Sequence, residues 1–211
     1  MDKQPRFREV VTTEQQFRSV MGSPSPLVTR KELTELDAHA QAFIGRSPFV
    51  LIGTSDADGR IDMSPKGDPP GFVHVLDEKT LAIPDRPGNR RADTFVNLVA
   101  HDRIGLIFLI PGKQETLRVS GRAIIVRDQW LRDHMAVQGK TPDFAIVVTV
   151  DQMFFHCAKC VIRSNLWKPD AWPSLSGLAS LAETMVSAGK LEKSVEEMQA
   201  IVDTDAVKRL Y

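Results

Sequence analysis

Two periodicities divide the chain. Between Phe49 and Phe155 the apolar residues come in short runs and alternations, the pattern of strands that bury a face. Phe49 to Ser55 is one such run, Asp56-Ala57-Asp58-Gly59 a turn, and Ile61 to Lys66 the returning strand, which predicts a hairpin. Phe72 to Leu76 and Thr80 to Pro84 predict a second hairpin around Asp77-Glu78-Lys79. A short helix from Asn89 to about Leu98 follows, then strands from Arg103 to Ile110 and from Glu115 to Val126. In the latter, Thr116, Arg118, Ser120 and Arg122 share one face, and Leu117, Val119, Gly121 and Ala123 the other. Asp128 to Gln138 reads as a helix, and Phe144 to Phe155 as a last strand apolar enough to be buried on both faces.

Elsewhere the spacing is helical. Thr13 to Val20 predicts a short helix begun by Thr12 or Thr13, and Gly22-Ser23-Pro24-Ser25-Pro26 breaks it. Thr29-Arg30-Lys31-Glu32 has the pattern of a capping box, opening a helix with Leu33, Leu36, Ala40, Phe43 and Ile44 on one face. Ser174 to Ala188 and Leu191 to Tyr211 read as two amphipathic helices broken at Gly189.

Six or seven strands joined mainly by tight turns predict an antiparallel β-barrel with flanking helices, α+β overall. A doubly wound parallel fold would need a helix after nearly every strand. The expected organisation is an N-terminal helical extension over 1–47, a barrel domain over 48–170, and C-terminal helices over 171–211 that pack on the barrel or on a partner.

Charge and composition narrow the function classes. Lys plus Arg and Asp plus Glu both number 27, so no net basic excess points to nucleic acid or an anionic membrane. No apolar run approaches the ~20 residues of a membrane span. Met1 to Pro5 lacks a signal-peptide core, and two cysteines suit a reducing compartment, so the expected location is the cytoplasm. No Gly-x-Gly-x-x-Gly or P-loop occurs.

The chemistry concentrates between Asp62 and Arg91. Asn89 suits an N-cap, which would put Arg90 and Arg91 in the first helical turn, the wrong end for cations. A bound anion would resolve the conflict, held by free N–H groups and two guanidinium groups. Lys66 could complete the site, with Ser64 on the same strand face. The plainer alternative is a solvated basic helix start. His156-Cys157-Ala158-Lys159-Cys160 offers at most three local metal ligands, so a structural or cofactor-flanking role is expected and no metal site. His39, His74, His101 and Asp102 read as structural or surface groups.

The runs Ser64-Pro65-Lys66-Gly67-Asp68, Pro70-Gly71-Phe72-Val73, Thr80 to Arg86 and Gly88-Asn89-Arg90-Arg91 resemble the pyridoxamine 5′-phosphate oxidase-related flavoproteins. So do Pro111-Gly112, Glu115 to Val119 and Gly121-Arg122-Ala123, the resemblance covering about residues 45–170. It implies a split β-barrel, a homodimer and FMN at the subunit interface, hence an FMN-dependent oxidoreductase acting on a small molecule. Lys66, Asn89, Arg90 and Arg91 match the residues that hold the FMN phosphate. Ile83, Pro84 and Asp85 match the strand end along the flavin ring, with Ser64 and Pro65 beside it. Arg118 matches an interface position, and Arg163 and Trp167 a C-terminal segment brought over the cofactor. Asp62-Met63-Ser64-Pro65 departs from the arginine-led apolar run of true pyridoxamine phosphate oxidases, which speaks against that substrate. A non-catalytic flavin-binding or sensing protein, or a split barrel using haem or a deazaflavin, are the alternatives.

Overall fold

The computed structural model describes residues 6–211; Met1 to Pro5, on which the signal-peptide reading rests, lie outside them. The described chain divides into two compact units between Glu32 and Leu33.

The first unit holds α1 (Glu14–Met21) and α2 (Pro26–Thr29). Thr13 caps α1: its hydroxyl accepts the Gln16 N–H at 3.2 Å, and the Gln16 side chain accepts the Thr13 N–H at 3.3 Å. The capping box expected at Thr29 does not form. Pro26 starts a helical turn three residues earlier, and the Thr29 hydroxyl donates back to the Pro26 carbonyl at 3.2 Å.

In the second unit, α3 (Ala38–Ile44) starts well after the expected point, where Asp37 accepts the Ala40 N–H at 2.8 Å. Leu33 is extended instead and exchanges two backbone hydrogen bonds with Met153. Seven strands follow: β1 (Phe49–Ser55), β2 (Ile61–Gly67), β3 (His74–Asp77), β4 (Thr80–Pro84), β5 (Arg103–Leu109), β6 (Thr116–Val126) and β7 (Ala145–His156). Helix α4 (Asp93–Ala100) comes between β4 and β5, and α5 (Gln129–His134), shorter than the sequence pattern suggested, between β6 and β7. After β7 come α6 (Lys159–Ser164), α7 (Leu181–Gly189) and α8 (Val195–Lys208). The last two are shorter than expected and begin at capping boxes, Ser180 with Glu183 and Ser194 with Glu197.

The strands form one antiparallel sheet in the order β2-β1-β5-β6-β7-β4-β3. Val50 and Ile52 of β1 share a single core with Leu81 and Ile83 of β4, although three strands separate β1 from β4 in the sheet. The sheet must therefore wrap around that core, which is the split-barrel arrangement, α+β overall with flanking helices. Leu36, Phe43 and Ile44 fill the core from the α3 side, and Leu98 from α4. Gly121 of β6 faces a bulge in β7, where Asp151 is the extra residue, and a Cβ at Gly121 would lie 2.0 Å from the Thr149 carbonyl oxygen. The expectation that β7 is buried on both faces is corrected: Ile146, Val148 and Val150 are buried, but Thr149 and Asp151 are exposed. That outer face is ionic, with Asp151 paired to Arg103 at 3.0 Å.

Candidate functional site

The site is built on β2. Strand alternation puts Asp62, Ser64 and Lys66 on a half-buried face and leaves Ile61, Met63 and Pro65 exposed. The Lys66 ammonium donates to the Ser64 hydroxyl at 3.0 Å. Just beyond the strand, Asp68 is sunk to 1% side-chain exposure and accepts from Arg86 Nε at 2.6 Å. Arg86 also donates to the Met135 carbonyl at 3.0 Å, so one guanidinium joins the ends of β2, β4 and α5. The Tyr211 hydroxyl donates to the second Asp68 oxygen at 2.6 Å, which holds the phenol protonated and raises its pKa.

The loop after β4 brings the other groups. The Asp85 N–H donates to the Phe144 carbonyl at 3.0 Å. Burial pushes the Asp85 carboxyl up; Lys66 opposes that shift and Asp143 adds to it. Asn89 does not cap α4, and Arg90 and Arg91 are not in its first turn. The Asn89 side chain accepts the Arg91 N–H at 3.0 Å in a tight turn, and Arg90 and Ala92 take left-handed φ values of 61° and 56°. The helix begins only at Asp93. Two left-handed residues reverse the chain first, a local conformation that residue type did not signal. Arg91 Nε pairs with Asp93 at 2.8 Å, so the negative group expected at the helix start is supplied from within the chain. That pairing, with a smaller contribution from Asp62, raises the Arg91 pKa. Arg90 is exposed and has no ion pair among the described residues.

Ser64, Lys66, Asp85, Asn89, Arg90 and Arg91 all line one cavity of about 1170 Å³. Pro65, Phe95, Val96, Val99, Ile125 and Phe144 are its apolar lining residues. Lys140, Lys208 and Tyr211 also line it. The remaining sequence-derived candidates lie elsewhere. Ile83 and Pro84 are buried in β4 against β7. Arg118 stands on the exposed face of β6, its guanidinium 5.4 Å from the Phe154 ring centroid. Arg163 is exposed on α6, and Trp167 Nε1 donates to the Lys113 carbonyl at 2.7 Å. Cys157 and Cys160 are both exposed and unbonded to each other.

Sequence reasoning did not select Arg86, Asp68 or Tyr211. The first two stand inside the motif runs and were readable as an opposite-charge pair. Tyr211 carried no signal, because its partner is 143 residues away.

The sequence model of the family described as pyridoxamine 5′-phosphate oxidase matches residues 36–157, more than half of the chain. The chain belongs to that family. The matched span runs from the start of the α3 region through β7, and so contains the β2 face and the Asn89–Arg91 turn but not Arg163, Trp167 or Tyr211. No curated protein matches the chain. Among solved structures, HupZ of Group A Streptococcus is similar at 17% identity and a TM-score of 0.47, over 56% of this chain and 92% of its own. A Clostridium acetobutylicum protein of the pyridoxinephosphate oxidase family, related to general stress protein 26 of B. subtilis, is 17% identical with a TM-score of 0.44, over 56% of this chain and 85% of its own. Among the described residues, no helix is long and apolar enough to cross a membrane.

Proposed function

We propose that this pyridoxamine 5′-phosphate oxidase family member binds FMN and is an FMN-dependent oxidoreductase acting on a small molecule. One observation carries the reading. A single cavity is lined both by Lys66, Arg90 and Arg91, which suit a phosphate of nearly two negative charges, and by Phe95, Val99, Ile125 and Phe144, which suit a flat apolar ring system.

The residues divide the work. Arg90, without an ion pair among the described residues, is the readiest phosphate ligand, and Arg91 shares its guanidinium between the phosphate and Asp93. The Asn89 turn fixes the backbone between them. Lys66, already oriented by Ser64, adds a charge from the neighbouring strand. Arg118, Arg163 and Trp167 lie outside this cavity, so in this reading they serve a flavin from a second copy of the chain. The bound FMN would supply the hydride or electron chemistry. The protein's part is to bind, orient and keep water from the ring.

Titration of the purified protein with FMN, followed by flavin fluorescence, tests this. Arg90→Ala with Arg91→Ala should weaken FMN binding by about 100-fold, from two lost charge-assisted contacts, with circular dichroism and Tm little changed. A double variant that keeps full FMN affinity contradicts the phosphate site. Bleaching of the bound flavin by NADPH or NADH, with reoxidation in air, separates an oxidoreductase from a binding protein without turnover.

A further inference from the structure

Tyr211 lies well beyond the matched family span, yet it lines the cavity. It is tied there at both ends. Its hydroxyl donates to Asp68, and its main-chain oxygen accepts from Lys140 Nζ at 2.5 Å. Asp68 is not a casual surface partner. Its side chain is 1% exposed, and its other oxygen holds Arg86, itself 16% exposed. A carboxylate that deep needs both partners, since a buried charge left unpaired is strongly unfavourable. Arg86 is pinned in turn by the Met135 carbonyl, and its guanidinium carbon stands 5.8 Å from the centroid of the Tyr211 ring. The aromatic ring is thus fixed in place by a buried ion pair. Lys140 and Lys208 line the same cavity, and Lys208 has no ion pair among the described residues.

We propose that Tyr211 is a ligand-contacting residue: an aromatic wall, fastened by the buried Asp68–Arg86 pair, against which a planar anionic ligand stacks. The ring supplies a flat polarizable face, and the two lysines favour negative charge beside it. Because the phenol proton is committed to Asp68, the residue contacts the ligand and does not transfer a proton to it. The choice of FMN as first probe rests on the flavin reading; the wall itself does not.

The fastening can be read without ligand. Tyr211 is the single tyrosine of the chain, so ultraviolet titration of tyrosinate reports it alone. The wild-type midpoint should lie above that of free tyrosine, and Asp68→Asn should bring it down. An ordinary wild-type midpoint overturns the proposal. The contact is read from FMN release and bound-flavin fluorescence. Tyr211→Leu should release FMN about 5- to 10-fold faster and brighten the bound flavin. Tyr211→Phe, which keeps the ring and loses its anchor, should fall between, and it remains informative should the leucine variant fold poorly. Wild-type release and fluorescence in both variants overturn the wall. If the wild-type protein takes up no FMN, the flavin reading alone fails. The same comparison with naphthalene-2-sulfonate, an anion with a flat ring system, then decides. Weaker binding by Tyr211→Leu supports the wall, and equal binding by the two proteins overturns it.

Discussion

Gly121 shows how a single position can be fixed by its neighbour across the sheet. A Cβ there would meet the Thr149 carbonyl oxygen of the bulged β7 at 2.0 Å, a distance that non-bonded atoms do not tolerate. Gly121→Ala should therefore cost about 2–3 kcal/mol, read as a lowered midpoint in urea unfolding with an unchanged slope. His74 makes a second claim at this scale. Burial lowers its pKa first, and the nearby His134 and Arg86 charges lower it further. Its ring centroid is 4.8 Å from that of His134. Since the folded value lies below the unfolded one near 6.5, the stability tied to neutral His74 is complete above pH ~6.5. It is lost as pH falls through the depressed folded value. Melting curves at neutral and mildly acidic pH should show a larger drop in Tm for the wild type than for His74→Gln.

At the scale of the element, the two halves of the site were unequally legible. The β2 face could be read directly, because strand alternation fixes which way Ser64 and Lys66 point, and their hydrogen bond confirms it. The turn into α4 could not. Asn89, Arg90 and Arg91 look like a cap and a first turn, yet left-handed φ values at Arg90 and Ala92 delay the helix to Asp93. Residue preferences disfavour that conformation for arginine and alanine, so only the surrounding structure selects it. The electrostatic argument changes with it. Asp93, not a ligand alone, balances Arg91 and the helix N-terminus. Asp93→Asn should then lower stability by only about 0.5 kcal/mol while freeing Arg91, so that FMN affinity holds or rises. A tenfold loss of affinity in that variant would show Asp93 organising the turn for its ligand.

Across the whole molecule, the strand count and the hairpins were legible because each depends on neighbours close in sequence; the barrel, whose β1–β5 and β4–β7 pairings join strands far apart in the chain, followed from the strand count and the family resemblance. The helix limits near Thr29 and Ser174 were less so, since Pro26, Asp37, Ser180 and Ser194 competed for the start positions. Least legible was the return of Tyr211 to Asp68, a contact that only the finished fold creates. Closure of the sheet also recruits residues from before the first strand. Leu36 is 1% exposed in the barrel core, so Leu36→Ala should destabilise the fold by about 2–5 kcal/mol. The measurement that bears most directly on the cavity compares FMN with riboflavin, the same ring system without the phosphate, in parallel equilibrium titrations of the wild-type protein. If Lys66, Arg90 and Arg91 grip a phosphate, FMN binds about 100-fold tighter and the ratio shrinks as salt is added. Equal affinities for the two would contradict the account.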